Sequence, residues 1–181
     1  MSSSDKINRN IDIPDGVQIG IEDGTVTVTG PKGSLSREMS YPGVKIAAKD
    51  GGVVVSSSIS RRTIKAVVGS FAAHIRNMIT GVTSGYEYNL KVVFSHFPIT
   101  VKHAGPVVTI DNFLGERTPR KSKVLGDSIV SIKGDKVSVT GTNLENVSQT
   151  AANIELATKV KGRDRRVFQD GIYLISKGEA A

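Results

Sequence analysis

Val68-Gly69-Ser70-Phe71-Ala72-Ala73-His74-Ile75 and Val147-Ser148-Gln149-Thr150-Ala151-Ala152-Asn153-Ile154 are one segment written twice, with Val, Ala, Ala and Ile in register. Each copy follows a short strand-like run, Val53-Val54-Val55-Ser56 in one case and Val137-Ser138-Val139-Thr140 in the other. Further upstream, Thr25-Val26-Thr27-Val28 corresponds to Val107-Val108-Thr109-Ile110, and Pro31-Lys32-Gly33 to Phe113-Leu114-Gly115. Matches recurring in the same order indicate a duplicated domain, and two copies are too few for a solenoid. Two similar domains are expected, 1–83 and 84–181.

Periodicity gives each copy strands followed by one helix. Val17, Ile19 and Ile21 alternate with polar residues, Asp23-Gly24 is a hairpin signal, and Leu35, Arg37 and Met39 alternate next. Ile64, Val67, Phe71, Ile75, Met78 and Val82 then recur at spacings of three and four, which predicts an amphipathic helix with Gly81 at its C-terminal end. In the second copy Thr142-Asn143-Leu144-Glu145 has the form of a capping box. Tyr86, Tyr88, Leu90, Val92 and Phe94 alternate through the junction, so a strand rather than a flexible linker joins the halves. The expected class is α+β: two tandem related domains, each a largely antiparallel β-sheet with one α-helix packed on one face.

The chain of 181 residues carries a formal charge of +7, with a pI near 9.7, which favours an acidic partner such as nucleic acid. It has no cysteine, so disulfides and thiolate metal sites are excluded. Met1–Lys6 is polar without an apolar signal core and no apolar run reaches membrane-spanning length, so a cytoplasmic protein is expected.

The charge is concentrated. Between Lys159 and Lys177 six basic residues (Lys159, Lys161, Arg163, Arg165, Arg166 and Lys177) face two acids, Asp164 and Asp170, which is over half of the net charge. Alternation of Arg163, Arg165 and Val167 predicts an extended backbone with two guanidiniums on one side. Arg117, Arg120, Lys121 and Lys123 form a second basic stretch, equally readable as phosphate contacts or as a solvated hairpin face. Phe168 either stacks on a base or packs under the sheet edge.

Catalysis finds little support. His74, His96 and His103 are scattered, none has a carboxylate nearby in the chain, and no nucleophile elbow or zincin helix is present. Gly30-Pro31-Lys32-Gly33-Ser34 lacks the spacing of a Walker loop and reads as a turn between strands, with a backbone contact to phosphate left open. No catalytic residue, metal or cofactor is expected.

Together these pieces resemble the universal large-subunit ribosomal protein six family. The matching segments are Gly30–Glu38, Gly69–Val82, Asn112–Glu116, Gln149–Ile154 and Arg163-Asp164-Arg165-Arg166-Val167-Phe168-Gln169-Asp170-Gly171-Ile172-Tyr173, and the last looks archaeal in type. The resemblance implies a structural constituent of the large ribosomal subunit, supporting translation in the cytoplasmic ribosome. It would bind the large-subunit, 23S-type rRNA directly near the stalk base and the sarcin-ricin loop. The second domain would be the main RNA-binding one. Lys159, Lys161, Arg163, Arg165 and Arg166 are carried over as phosphate contacts, with Arg117, Arg120, Lys121 and Lys123 as a second group. Neighbouring ribosomal proteins are the other implied partners, and no membrane or small-molecule substrate is. The competing reading is a protein-interaction module with an incidental basic surface.

Overall fold

A computed structural model describes residues 7–49 and 51–179; the polar segment Met1–Lys6 lies outside the described residues. The chain divides into two units, 1–84 and 85–181, each with its own apolar core. No described helix is long and apolar enough to cross a membrane.

The first unit contains β1 (Ile7–Asp12), β2 (Gln18–Glu22), β3 (Thr25–Gly30), β4 (Gly33–Glu38), β5 (Val44–Lys49), β6 (Gly52–Ser57) and α1 (Arg62–Thr83). Asp23 and Gly24 both take positive φ, 45° and 79°, which makes the tight two-residue turn that matches strand twist and sets the β2–β3 register of Glu22 opposite Thr25. The strands form two antiparallel sheets, β2-β3-β4 and β1-β6-β5, and α1 packs across strands of both. Alternation does what period two requires: Val26 and Val28 on β3 and Val53 and Val55 on β6 are wholly buried, while their neighbours face out or sit half-buried.

The second unit repeats the plan with β7 (Tyr86–Val93), β8 (Thr100–Ala104), β9 (Val107–Asp111), a 3-10 turn at Phe113–Gly115, β10 (Arg120–Lys123), β11 (Ile129–Lys133), β12 (Lys136–Gly141) and α2 (Leu144–Ala157). Its sheets, β10-β9-β8 and β11-β12-β7, correspond strand for strand to those of the first unit. One strand has no counterpart: β13 (Gly171–Glu179) adds antiparallel to the outer edge of β7.

The repeated residues are the core residues. Val68, Ala72 and Ile75 on α1 and their matches Val147, Ala151 and Ile154 on α2 are all 3% exposed or less. His74 and Asn153, a repeat pair of different chemistry, do the same work. The His74 ring nitrogen meets Arg37 on β4 at 3.3 Å, and the Asn153 amide donates to the Lys123 carbonyl on β10 at 3.3 Å.

Three local expectations need correction. The buried face of α1 turns slightly from the one anticipated, with Val68 and Ala72 inside and Val67 and Phe71 half-buried. The helix runs through Gly81, which is buried within it, and the chain leaves at Gly85 with φ of 76°. The N-cap of α2 is Asn143 rather than Thr142; its side chain accepts from the Glu145 and Asn146 amides at 2.9 and 3.4 Å.

The Pro31-Lys32 turn has a structural duty. The Lys32 amide donates to the Val82 carbonyl at 2.9 Å and its ammonium to the Ser84 carbonyl, so the turn closes the C-terminal end of α1. Gly30 allows this approach, because a Cβ there would lie 2.7 Å from the Val82 side chain and 3.0 Å from its carbonyl. Gly30→Ala is expected to destabilise the first unit by about 1–3 kcal/mol. Gly20→Ala, where a Cβ meets nothing within 4 Å, should stay within about 0.5 kcal/mol. Urea unfolding of the two variants measures the difference.

Candidate nucleic-acid interface

The basic segment after α2 is a loop pinned at both ends. At its start, α2 stops at Thr158, whose buried hydroxyl donates to the Glu155 carbonyl at 3.1 Å and accepts from the Ile172 amide at 2.9 Å. One hydroxyl thus ties the helix end to the start of β13. Arg120 adds a second tie. Its guanidinium holds both Glu116 carboxylate oxygens, at 2.6 and 2.8 Å, and donates to the Ala157 and Lys159 carbonyls at 2.8 and 3.3 Å. It also lies over the buried Phe113 ring, 4.2 Å from the centroid. The paired arginine holds the Glu116 carboxyl below the usual range.

At its far end the loop is held by Asp170, which is 1% exposed. One carboxylate oxygen accepts from the Ser95 and His96 amides at 2.7 and 3.2 Å, and the other meets the His96 ring nitrogen at 2.7 Å. Burial alone would raise the Asp170 pKa, but these hydrogen bonds and the His96 interaction outweigh it and hold the carboxyl below its ordinary value. The His96 ring stacks on Phe168 with centroids 4.7 Å apart, and the Arg163 guanidinium covers that ring at 4.7 Å. Phe168 is therefore half-buried and packed on the core, between two cationic or polar planes.

Between the pins the chain turns rather than extends. The Val167 and Phe168 amides donate to the Asp164 carbonyl at 3.1 and 2.9 Å, and the Asp164 side chain accepts from the Arg166 amide at 2.9 Å. The expected extended alternation of Arg163, Arg165 and Val167 does not form, because Asp164 competes for those amides as a turn former. Arg166 stands 93% exposed beside Asp164 at 3.6 Å.

The two basic stretches converge. β10 alternates so that Ser122 is buried while Lys121 and Lys123 face out. Shallow clefts around Leu156, near the end of α2, are lined by Lys121, Lys123, Lys159, Lys161 and Arg165. None of these five has an ion-pair partner among the described residues. Arg117 is exposed outside these clefts. Lys177 sits six residues along β13 from Gly171, roughly 20 Å away at strand rise, beside the paired edge opposite Tyr88. Of the ten basic residues singled out from sequence, Arg120 alone has its donors committed to protein acceptors over four hydrogen bonds.

Sequence reasoning missed Asp170 with His96, which lie 74 residues apart and carry no local signal. Among the described residues no group of three or more His, Cys, Asp or Glu is placed to hold a metal. His96 serves as an anchor for Asp170.

Asp170 supplies the prediction. Its folded pKa is depressed, so its contribution is present above the ordinary carboxylate pKa and is lost as pH falls through the folded value. Wild-type stability of the second unit should therefore decline below about pH 4. Asp170→Ala should cost about 2–3 kcal/mol at neutral pH, because it strands two amides, and should flatten that acid decline. Denaturant melts at a series of pH values check both.

The Ribosomal protein L6 family matches this chain twice, over residues 13–85 and 89–171, once in each unit. The large ribosomal subunit protein uL6 of Methanobrevibacter smithii is 57% identical over 171 residues, covering 94% of this chain and 96% of its own. The uL6 proteins of Methanothrix thermoacetophila and Methanosarcina mazei are 50% and 47% identical, covering 96% and 95% of this chain and 98% of theirs in each case. Full-length likeness, the duplicated match and the repeated fold agree: the chain belongs to the ribosomal protein L6 family, as a structural protein of the ribosome and not an enzyme.

Proposed function

We propose that the chain, a structural constituent of the large subunit of the cytoplasmic ribosome, binds large-subunit rRNA directly through its second unit. The observation that carries this is the convergence of Lys121, Lys123, Lys159, Lys161 and Arg165 around the end of α2, without acidic partners among the described residues. Unpaired cations gathered on one surface are what phosphate binding needs, since an internally paired cation releases no counterions from RNA. Arg163 and Arg166 extend the surface, and Arg117 and Lys177 are assigned to its periphery. Arg120 is assigned a bracing role, holding the helix end and the loop in place.

Folded RNA presents phosphates and a shallow minor groove, so recognition here is by shape and sugar contacts more than by base sequence. A position near the stalk base and the sarcin-ricin loop follows from the family resemblance. The first unit, whose Lys32 is spent on its own helix end, is assigned to neighbouring ribosomal proteins and to stiffening of the assembly.

Five phosphate contacts give a slope of log affinity against log salt of roughly −3.5 to −4.5. Titration of the full chain with purified large-subunit rRNA should show it, and the triple change Arg163→Ala, Arg165→Ala, Arg166→Ala should weaken binding without unfolding the second unit. Lys121→Ala should reduce the slope by about 1. A flat salt response would instead favour a protein-interaction module.

A further inference from the structure

Charge does not account for all of the segment that ends in Tyr173. Tyr173 is 39% exposed, on an element where the preceding Ile172 is wholly buried. It is nonetheless held still. Its hydroxyl donates to the Gln169 carbonyl at 3.0 Å, and the ring lies across Gly171, where a Cβ would come within 3.1 Å of it. An exposed aromatic tethered at its tip and packed along one edge has less rotamer freedom left to lose when a partner arrives, which lowers the cost of binding against it.

The ring forms one wall of a cleft of about 210 Å³. Leu156, 59% exposed, stands on another side, Ile172 contributes to the apolar lining, and Lys159 and Arg165 bring positive charge to it. Glu155 is the one acid in the lining. Large apolar groups left open to water inside a cationic surface are unfavourable unless a partner covers them. The partner must present a flat apolar face next to an anion, and a nucleotide does both.

We propose that this cleft seats a single unstacked nucleotide of the RNA, its base against Tyr173 and Leu156 and its phosphate on Lys159 and Arg165. This rests on the RNA-binding reading above and adds a base-level contact to it. Glu155 then faces the base edge, where a carboxylate accepts from an exocyclic amino group. A continuous duplex cannot fill the site, because its bases are stacked inward, so the seat selects a bulge or loop nucleotide.

The test uses the full chain and purified large-subunit rRNA over a range of salt. Tyr173→Leu should weaken binding about 5- to 100-fold at every salt concentration with the slope unchanged, as expected for the loss of one base stack. Tyr173→Phe, which keeps the ring, should retain most of the affinity. Leu156→Ser, on an exposed wall that does not support the core, should weaken binding in the same salt-independent way, so the idea remains testable if Tyr173→Leu lowers the thermal midpoint. Ultraviolet cross-linking of the wild-type complex should join the peptide containing Tyr173 to one nucleotide. Wild-type affinity in Tyr173→Leu and Leu156→Ser, with a steep wild-type salt slope, would overturn the seat and leave RNA binding standing; so would cross-linking that misses this peptide. A flat wild-type slope would remove the RNA-binding reading itself. A cross-link to a neighbouring protein in intact subunits, and none to RNA, would assign the cleft to a protein side chain instead.

Discussion

The second unit is organised around a carboxylate that water hardly reaches. Asp170 is the last residue before β13, and by accepting from Ser95, His96 and the His96 ring it fixes where that strand starts against the end of β7. A buried charge is costly unless its lone pairs are satisfied, and here the neighbouring backbone satisfies them. The stack of His96, Phe168 and Arg163 is built on this anchor. So is the placement of the basic loop, whose other end hangs from Thr158 and Arg120. Under the proposed RNA binding, flexible cations would pay ordering entropy on meeting RNA; these are carried on a backbone already held at both ends.

The two units show how one scaffold serves different ends. In both, a cation satisfies carbonyls at the end of the helix: Lys32 from the β3–β4 turn in the first unit and Arg120 from β10 in the second. In the first unit the helix runs 22 residues and closes on itself, whereas α2 stops after 14. The residues that would have continued α2 become Lys159, the buried Val160 and Lys161, and so leave the helix axis for the surface. Shortening the helix is what turns a packing element into the stem of a basic loop.

Much of this was legible in the residues. The repeat register Val68/Val147, Ala72/Ala151 and Ile75/Ile154 names core positions directly, because burial on one helix face is a local, periodic property. The division of each unit into two sheets was not legible: alternation tells which side chains are inside but not which strand lies beside which. Gly81 looked like a stop because its lack of a Cβ suits a helix end, yet the same lack suits close packing in the helix interior. In the candidate site, sequence marked the cations but could not separate Arg120, spent on Glu116 and two carbonyls, from the unpaired Lys121 beside it. That distinction depends on partners up to 39 residues away.

β13 carries a consequence for the order in which the molecule assembles. It pairs with β7 across 78 to 93 residues of chain, the longest reach of any strand pair among those described. Hairpins and the α1 core close over shorter distances, and chain closure slows as the loop to be closed lengthens. The first unit is complete in sequence before most of the second has been made, so it is positioned to fold during synthesis. The strand that fixes the basic loop can join only once the chain has been made through residue 171 and beyond. A nascent chain therefore acquires its compact first unit well before it acquires an ordered cationic surface, and under the RNA-binding role proposed for that surface an incomplete chain is poorly equipped to compete with a finished one.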